Sequence, residues 1–123
     1  MNNEATYPTP EDIRTLLQDS VRTSIDAVPV AAYIKHRYTW DGGGYNVVAD
    51  AIVVWRRKEN AWRGEDRAWG YHSSVTIRSS ADNGMSAPLS GGHYEMDSQS
   101  ASREAAERAR GCGWMDLRPG KEE

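Results

Sequence analysis

The stretch AYIKHRYTWDGGGYNVVADAIVVW, residues 32–55, decides the fold. Ala32, Ile34, His36, Tyr38 and Trp40 alternate with Tyr33, Lys35, Arg37 and Thr39, the period of two that gives a strand one packed and one wet face. Asp41-Gly42-Gly43-Gly44 supplies the positive-φ residues a hairpin loop demands, and Tyr45 to Trp55 returns as a second β-rich run. That return run is apolar on both faces around Val47, Val48, Ile52, Val53 and Val54, with Asp50 interrupting. It reads as a central strand with a bulge near Ala49 to Ala51.

After the hairpin comes a charged connection, Arg56 to Arg67. A third strand follows, in which Trp69, Tyr71, Ser73, Val75 and Ile77 alternate with Gly70, His72, Ser74, Thr76 and Arg78. Ser79 to Gly92 has no periodicity and is rich in Ser, Gly, Asn and Pro, so a long mobile loop is expected there, with a short strand over His93 to Met96. Upstream, Thr9-Pro10-Glu11-Asp12 is a helix start: an N-cap, Pro at the first helical position and two carboxylates against the positive end of the dipole. Ile13, Leu16, Leu17, Val21 and Ile25 recur on one helical face, and Pro29 is expected to end that helix. Downstream, a helix over Ser100 to Arg110 carries a stripe of small residues, Ala101, Ala105, Ala109 and Cys112. Trp114, Met115 and Leu117 form a last short strand or packing tail.

The expected fold class is therefore α+β: an antiparallel sheet of three to five strands with an N-terminal and a C-terminal helix packed on one face. Residues 1–8 are expected to be a flexible arm, residues 9–118 a single domain and residues 119–123 a disordered tail. At 123 residues there is room for one domain and one modest core. Neither a leader-like n-region nor an apolar span long enough for a bilayer is present, and Cys112 is the one cysteine, so a soluble cytoplasmic protein without membrane partner is expected. Cys112 reads as a small packed residue at a Gly-Cys-Gly helix exit rather than a nucleophile. The net charge of −3 hides a division along the chain: residues 1–30 carry 2 bases and 5 acids, residues 31–78 carry 8 and 5, and residues 79–123 carry 5 and 8.

Catalytic motifs are missing. No phosphate-binding glycine motif runs from a strand into a helix, and G-x-S-x-G, H-E-x-x-H and a cysteine pair for zinc are all absent, so no cofactor or metal is expected. The nearest approach to an acid–base set is His93 with Glu95, at alternate positions that would share a strand face, with His72 as a possible third member. These residues carry an alternative reading as a small metal- or His-dependent hydrolase or nuclease. The strongest interaction signal is Arg56, Arg57, Lys58, Trp62, Arg63 and Arg67, five cations and a Trp in one exposed connection, because Arg and Trp most often anchor interfaces. Three acids among them, and the acidic chain as a whole, make direct nucleic-acid binding a weaker alternative. Acidic patches on the first helix or around Glu95 and Asp97 are a further candidate surface, one that would mimic nucleic acid toward a basic partner.

The order helix, three strands, helix resembles a double-stranded-RNA-binding domain, with Ser102-Arg103-Glu104-Ala105-Ala106 where such domains begin their final helix. The lysine cluster of those domains is replaced there by Ser, Arg and Glu, so RNA binding does not carry over. In general character, small, acidic, motif-free and rich in Trp and Gly, the chain is similar to accessory proteins of phages and mobile elements, a class that includes anti-CRISPR and other host-defence inhibitors. The function expected is accordingly a non-enzymatic binding protein that acts by stoichiometric occlusion of a larger protein or ribonucleoprotein partner. The Arg56 to Arg67 connection and the loop 79–92 form the expected contact. An uncovered sheet face would equally serve a homodimer.

Overall fold

Thr9 caps the first helix as its sequence predicts. Its hydroxyl accepts from Asp12 N and the Asp12 carboxylate accepts from Thr9 N, each at 3.1 Å, a reciprocal pair that closes two otherwise orphaned donors. The structure is a computed structural model that describes residues 9–40, 45–57, 67–80 and 84–118. In chain order these form α1 (Pro10–Ile25), β1 (Ala27–Trp40), β2 (Tyr45–Arg57), β3 (Trp69–Ser80), β4 (Gly84–Ser86), β5 (Gly92–Met96), α2 (Ser98–Arg108) and β6 (Gly113–Asp116). The predicted flexible arm, the tail and the Gly42–Gly44 loop lie outside the described residues.

The architecture is α+β, with one antiparallel sheet of six strands rather than three to five. The order is β4-β3-β2-β1-β6, and β5 also pairs with β3. The sixth strand, β4, comes from the stretch expected to be a loop. Ser79 and Ser80 belong to β3 and pair with Met85 and Gly84, while Gly92, His93 and Met96 pair with the other end of β3. Between them Ser73 N and Ser74 N donate to the carbonyls of Gly91 and Ser90 at 3.0 and 3.1 Å. Ala87 is buried and Leu89 packs on the core. A segment without periodicity thus follows the outer edge of β3, held by backbone hydrogen bonds that its composition does not advertise.

The two helices cover opposite faces of the sheet, which corrects the expectation of one shared face. Ile13, Leu17 and Val21 of α1 cluster with Ala49, Ala51, Val53 and Trp55 of β2, whereas Ala101 and Ala105 of α2 cluster with Ile52 and Val54 of the same strand. Alternate residues of a strand point to opposite faces, so a strand apolar throughout has helices on both sides. Side chains of α1 also bind the end of the last strand and the residue after it: Arg14 Nε donates to Asp116 O at 3.1 Å and Gln18 Nε2 to Leu117 O at 2.7 Å.

Three further boundaries differ from the sequence reading. The first helix stops at Asp26, in the left-handed region at φ 51, and Pro29 lies inside β1 at a register irregularity. Proline lacks an N–H, and a bulge is where a sheet tolerates that loss. The second helix runs Ser98–Arg108 with Asp97 as N-cap. The bulge in β2 falls at Val47–Ala49, and a second shift places an extra residue of β3 between Val75 and His72. This second bulge inverts the pleat. Val75 and Ile77 face the α1 cluster while Tyr71 and Trp69 face the α2 cluster, so the five residues expected on one face are divided between two.

Candidate functional site

Trp55 and Gly70 are direct cross-strand partners on β2 and β3. With no side chain at Gly70, the Trp55 ring lies across its neighbour. A methyl group at Gly70 would come within 2.5 Å of the indole and closer still to the His93 carbonyl oxygen. Trp55 is fully buried there and its Nε1–H must find an acceptor. It donates to His72 Nδ1 at 3.0 Å. Because Nδ1 is occupied as an acceptor, the ring proton of neutral His72 sits on Nε2, which faces Tyr94 Oη at 3.1 Å. Burial, and secondarily the nearby His93, pushes the His72 pKa below the ordinary histidine value.

On this aromatic base lies Arg57. Its guanidinium carbon is 6.0 Å from the Trp55 ring centroid and 5.7 Å from that of Tyr94, and the Trp55 and Tyr94 rings are 5.4 Å apart. Tyr94 is 43% exposed, so its ring and the guanidinium present one cation–aromatic corner to solvent. Arg57 N donates to Ala68 O at 2.8 Å, which joins the two ends of the charged connection. Arg56 is half-buried, opposite Trp69 across the strand pair, and Arg67 is exposed. Lys58, Trp62 and Arg63 lie outside the described residues.

The opposite face holds a second polar network. Tyr71 Oη accepts from Arg108 Nε at 2.9 Å and faces Glu104 Oε1 at 3.0 Å, so two residues one turn apart on α2 grip one hydroxyl of β3. Burial raises the Tyr71 pKa, with the Arg108 bond working against it. The His93 ring stacks on Tyr71 at 4.5 Å and 9°.

This placement separates the residues of the predicted acid–base set. His72 and His93 point to opposite faces, one against Trp55 and the other against Tyr71. Glu95 has φ 59 and falls in a register shift of β5, so the expected alternation with His93 is broken. His36, expected on the packed face, is exposed. Among the described residues no group of three His, Cys, Asp or Glu side chains is arranged to hold a metal ion, and no helix is long and apolar enough to cross a membrane.

Sequence reasoning missed Tyr94 and Trp114, the two exposed large hydrophobics of the described chain at 43% and 59%. Both stand on short edge strands. The one signal available was an aromatic residue beside glycines, Gly91-Gly92-His93-Tyr94 and Gly111-Cys112-Gly113-Trp114. Comparison with known proteins finds no matching family, no matching curated protein and no matching solved structure.

Proposed function

We propose that this chain is a small non-enzymatic binding protein that occludes a protein or ribonucleoprotein partner stoichiometrically, docking through the Arg57–Tyr94 corner. The observation that carries the reading is the Arg57 guanidinium set over Trp55 and an exposed Tyr94. Arg and Tyr are the side chains that most often dominate interface energetics, and both are held from below. Gly70, Trp55 and His72 fix the ring positions before any partner arrives, which lowers the ordering cost of binding. The connection that carries Lys58, Trp62 and Arg63 begins and ends at this corner, and Arg56 and Arg67 flank it. An occluding protein of this size fits the service of a phage or mobile element, as a host-defence inhibitor of anti-CRISPR type.

The hydrolase alternative draws no support from the geometry. Both ring nitrogens of His72 are engaged, and His93, stacked on Tyr71, points to the other face of the sheet, so the two histidines form no acid–base pair. A general base needs a free nitrogen within reach of substrate.

The test is capture from a lysate of the native host with tagged wild-type protein and with the Arg57→Ala/Tyr94→Ala variant, followed by titration of the captured partner. The reading expects a one-to-one complex with wild type and loss of that complex in the variant while its fold stays native. Equal binding by both proteins would refute the corner.

A further inference from the structure

The sheet face beside α2 carries a second surface, distant in composition from the Arg57 corner. Tyr33 of β1 and Trp114 of β6 are direct cross-strand partners, so their side chains share a face. Tyr33 packs at the margin of the α2 cluster and is half-buried, whereas Trp114 is 59% exposed. Among the described residues the Trp114 side chain makes no ring contact, hydrogen bond or ion pair. Two residues along β1 from Tyr33, on the same face, comes Lys35. Lys35, Tyr33, Ser74, Thr76 and Arg110 line one shallow cleft of about 250 Å³, and Trp114 lines the neighbouring cleft, which shares Lys35 with it. Lys35 and Arg110 are both exposed and, among the described residues, neither is in an ion pair, while Asp50 is the direct cross-strand partner of Lys35. The acid in the cleft is Asp50, and its carboxylate is bound by Arg37 at 2.9 Å.

An exposed indole beside unpaired cations and small hydroxyls is the arrangement that takes a base on the ring and phosphates on the cations. A duplex hides its base faces in the stack, so such a platform selects unpaired strands. A purely acidic polypeptide would engage Lys35 and Arg110 but offers nothing in particular to the ring. The net charge of −3 is unevenly spread: residues 31–78, which supply Tyr33 and Lys35, carry 8 bases and 5 acids, and residues 79–123, which supply Trp114 and Arg110, carry 5 and 8.

We infer that the face formed by Trp114, Tyr33, Lys35 and Arg110 binds single-stranded nucleic acid, one base stacked on Trp114 and the adjoining phosphates on Lys35 and Arg110. This surface is separate from the Arg57 corner, and each stands or falls without the other.

The experiment is fluorescence anisotropy with a fluorescein-labelled 12-nucleotide oligothymidine, across a salt series, on full-length protein. Trp114→Ala weakens binding about tenfold, and Trp114→Phe recovers part of that loss because it restores a ring. Lys35→Ala/Arg110→Ala lowers the magnitude of the log–log salt slope by about 1.4, two phosphates' worth for a single strand. Arg57→Ala/Tyr94→Ala binds the oligonucleotide like wild type. All replaced side chains on the platform are exposed or half-buried, and circular dichroism establishes that each variant keeps its fold. Failure of wild type to bind at low salt overturns the inference. So does a Trp114→Ala variant with unchanged affinity, or equal binding of a 12-residue poly-glutamate peptide.

Discussion

The indole N–H of Trp55 donates to Nδ1 of His72, 3.0 Å away, in a part of the sheet where the indole is fully buried and the imidazole 4% exposed. The bond exists only while His72 is neutral, since a protonated ring has no acceptor to offer. The folded-state pKa lies below the ordinary 6.5 through burial and the neighbouring His93. The unfolded chain therefore binds this proton more readily than the folded one, and the stability that His72 contributes is complete above about pH 6.5 and lost as pH falls through the folded value. Urea denaturation at pH 7.5 and pH 5 should show the midpoint fall in wild type. Part of that fall should vanish in His72→Asn, whose amide oxygen can still accept from Trp55 without titrating. His72→Leu strands a buried donor and should cost about 1 to 3 kcal/mol at pH 7.5.

Gly70 is the other support of Trp55. A Cβ there would meet the His93 carbonyl oxygen and the indole ring at less than van der Waals distance, and neither a backbone carbonyl nor a fully buried ring has room to give way. Gly70→Ala should destabilise the protein by about 1 to 3 kcal/mol, as overpacking does. Thermal unfolding followed by tryptophan fluorescence measures the loss and reports the displaced indole.

Helices on opposite faces make two cores that share only the sheet between them. Leu17 is fully buried in one and Ala105 in the other. Leu17→Ala should cost about 2 to 5 kcal/mol, and Ala105→Val about 1 to 3 kcal/mol by overpacking. The double variant should show the sum to within about 0.5 kcal/mol, because the two sites share no partners. Marked non-additivity in a double-mutant cycle would place the helices in one core.

A nuclease assay on single- and double-stranded substrates, with and without divalent metal, should give no turnover above background for wild type and no difference for His93→Ala. The His93 ring is committed to Tyr71, so the substitution should instead lower stability.

The hairpin, the helix start at Thr9 and the small-residue stripe of α2 were legible in the sequence because each rests on local chemistry: alternation, a capping box, a glycine run. What escaped depends on register. The bulge at Ser73–Ser74 turns His72 toward Trp55 and Tyr71 toward α2, and no composition or period marks it. Short strands over His93–Met96 and at Trp114 were expected, but β4 was not, and the pairing that sets Tyr94 and Trp114 on sheet edges depends on neighbours rather than on local propensity. Of the site predicted in the basic connection, Arg57 has an explicit role. It lies over the rings of Trp55 and Tyr94, and Trp62 lies outside the described residues.

The Arg57–Tyr94 corner is tested most directly by the partner captured by wild-type protein, compared with that captured by Arg57→Ala/Tyr94→Ala and by Lys35→Ala/Arg110→Ala. The first variant should lose the macromolecular partner and its one-to-one complex while the second retains it. A partner held equally by wild type and Arg57→Ala/Tyr94→Ala would contradict this.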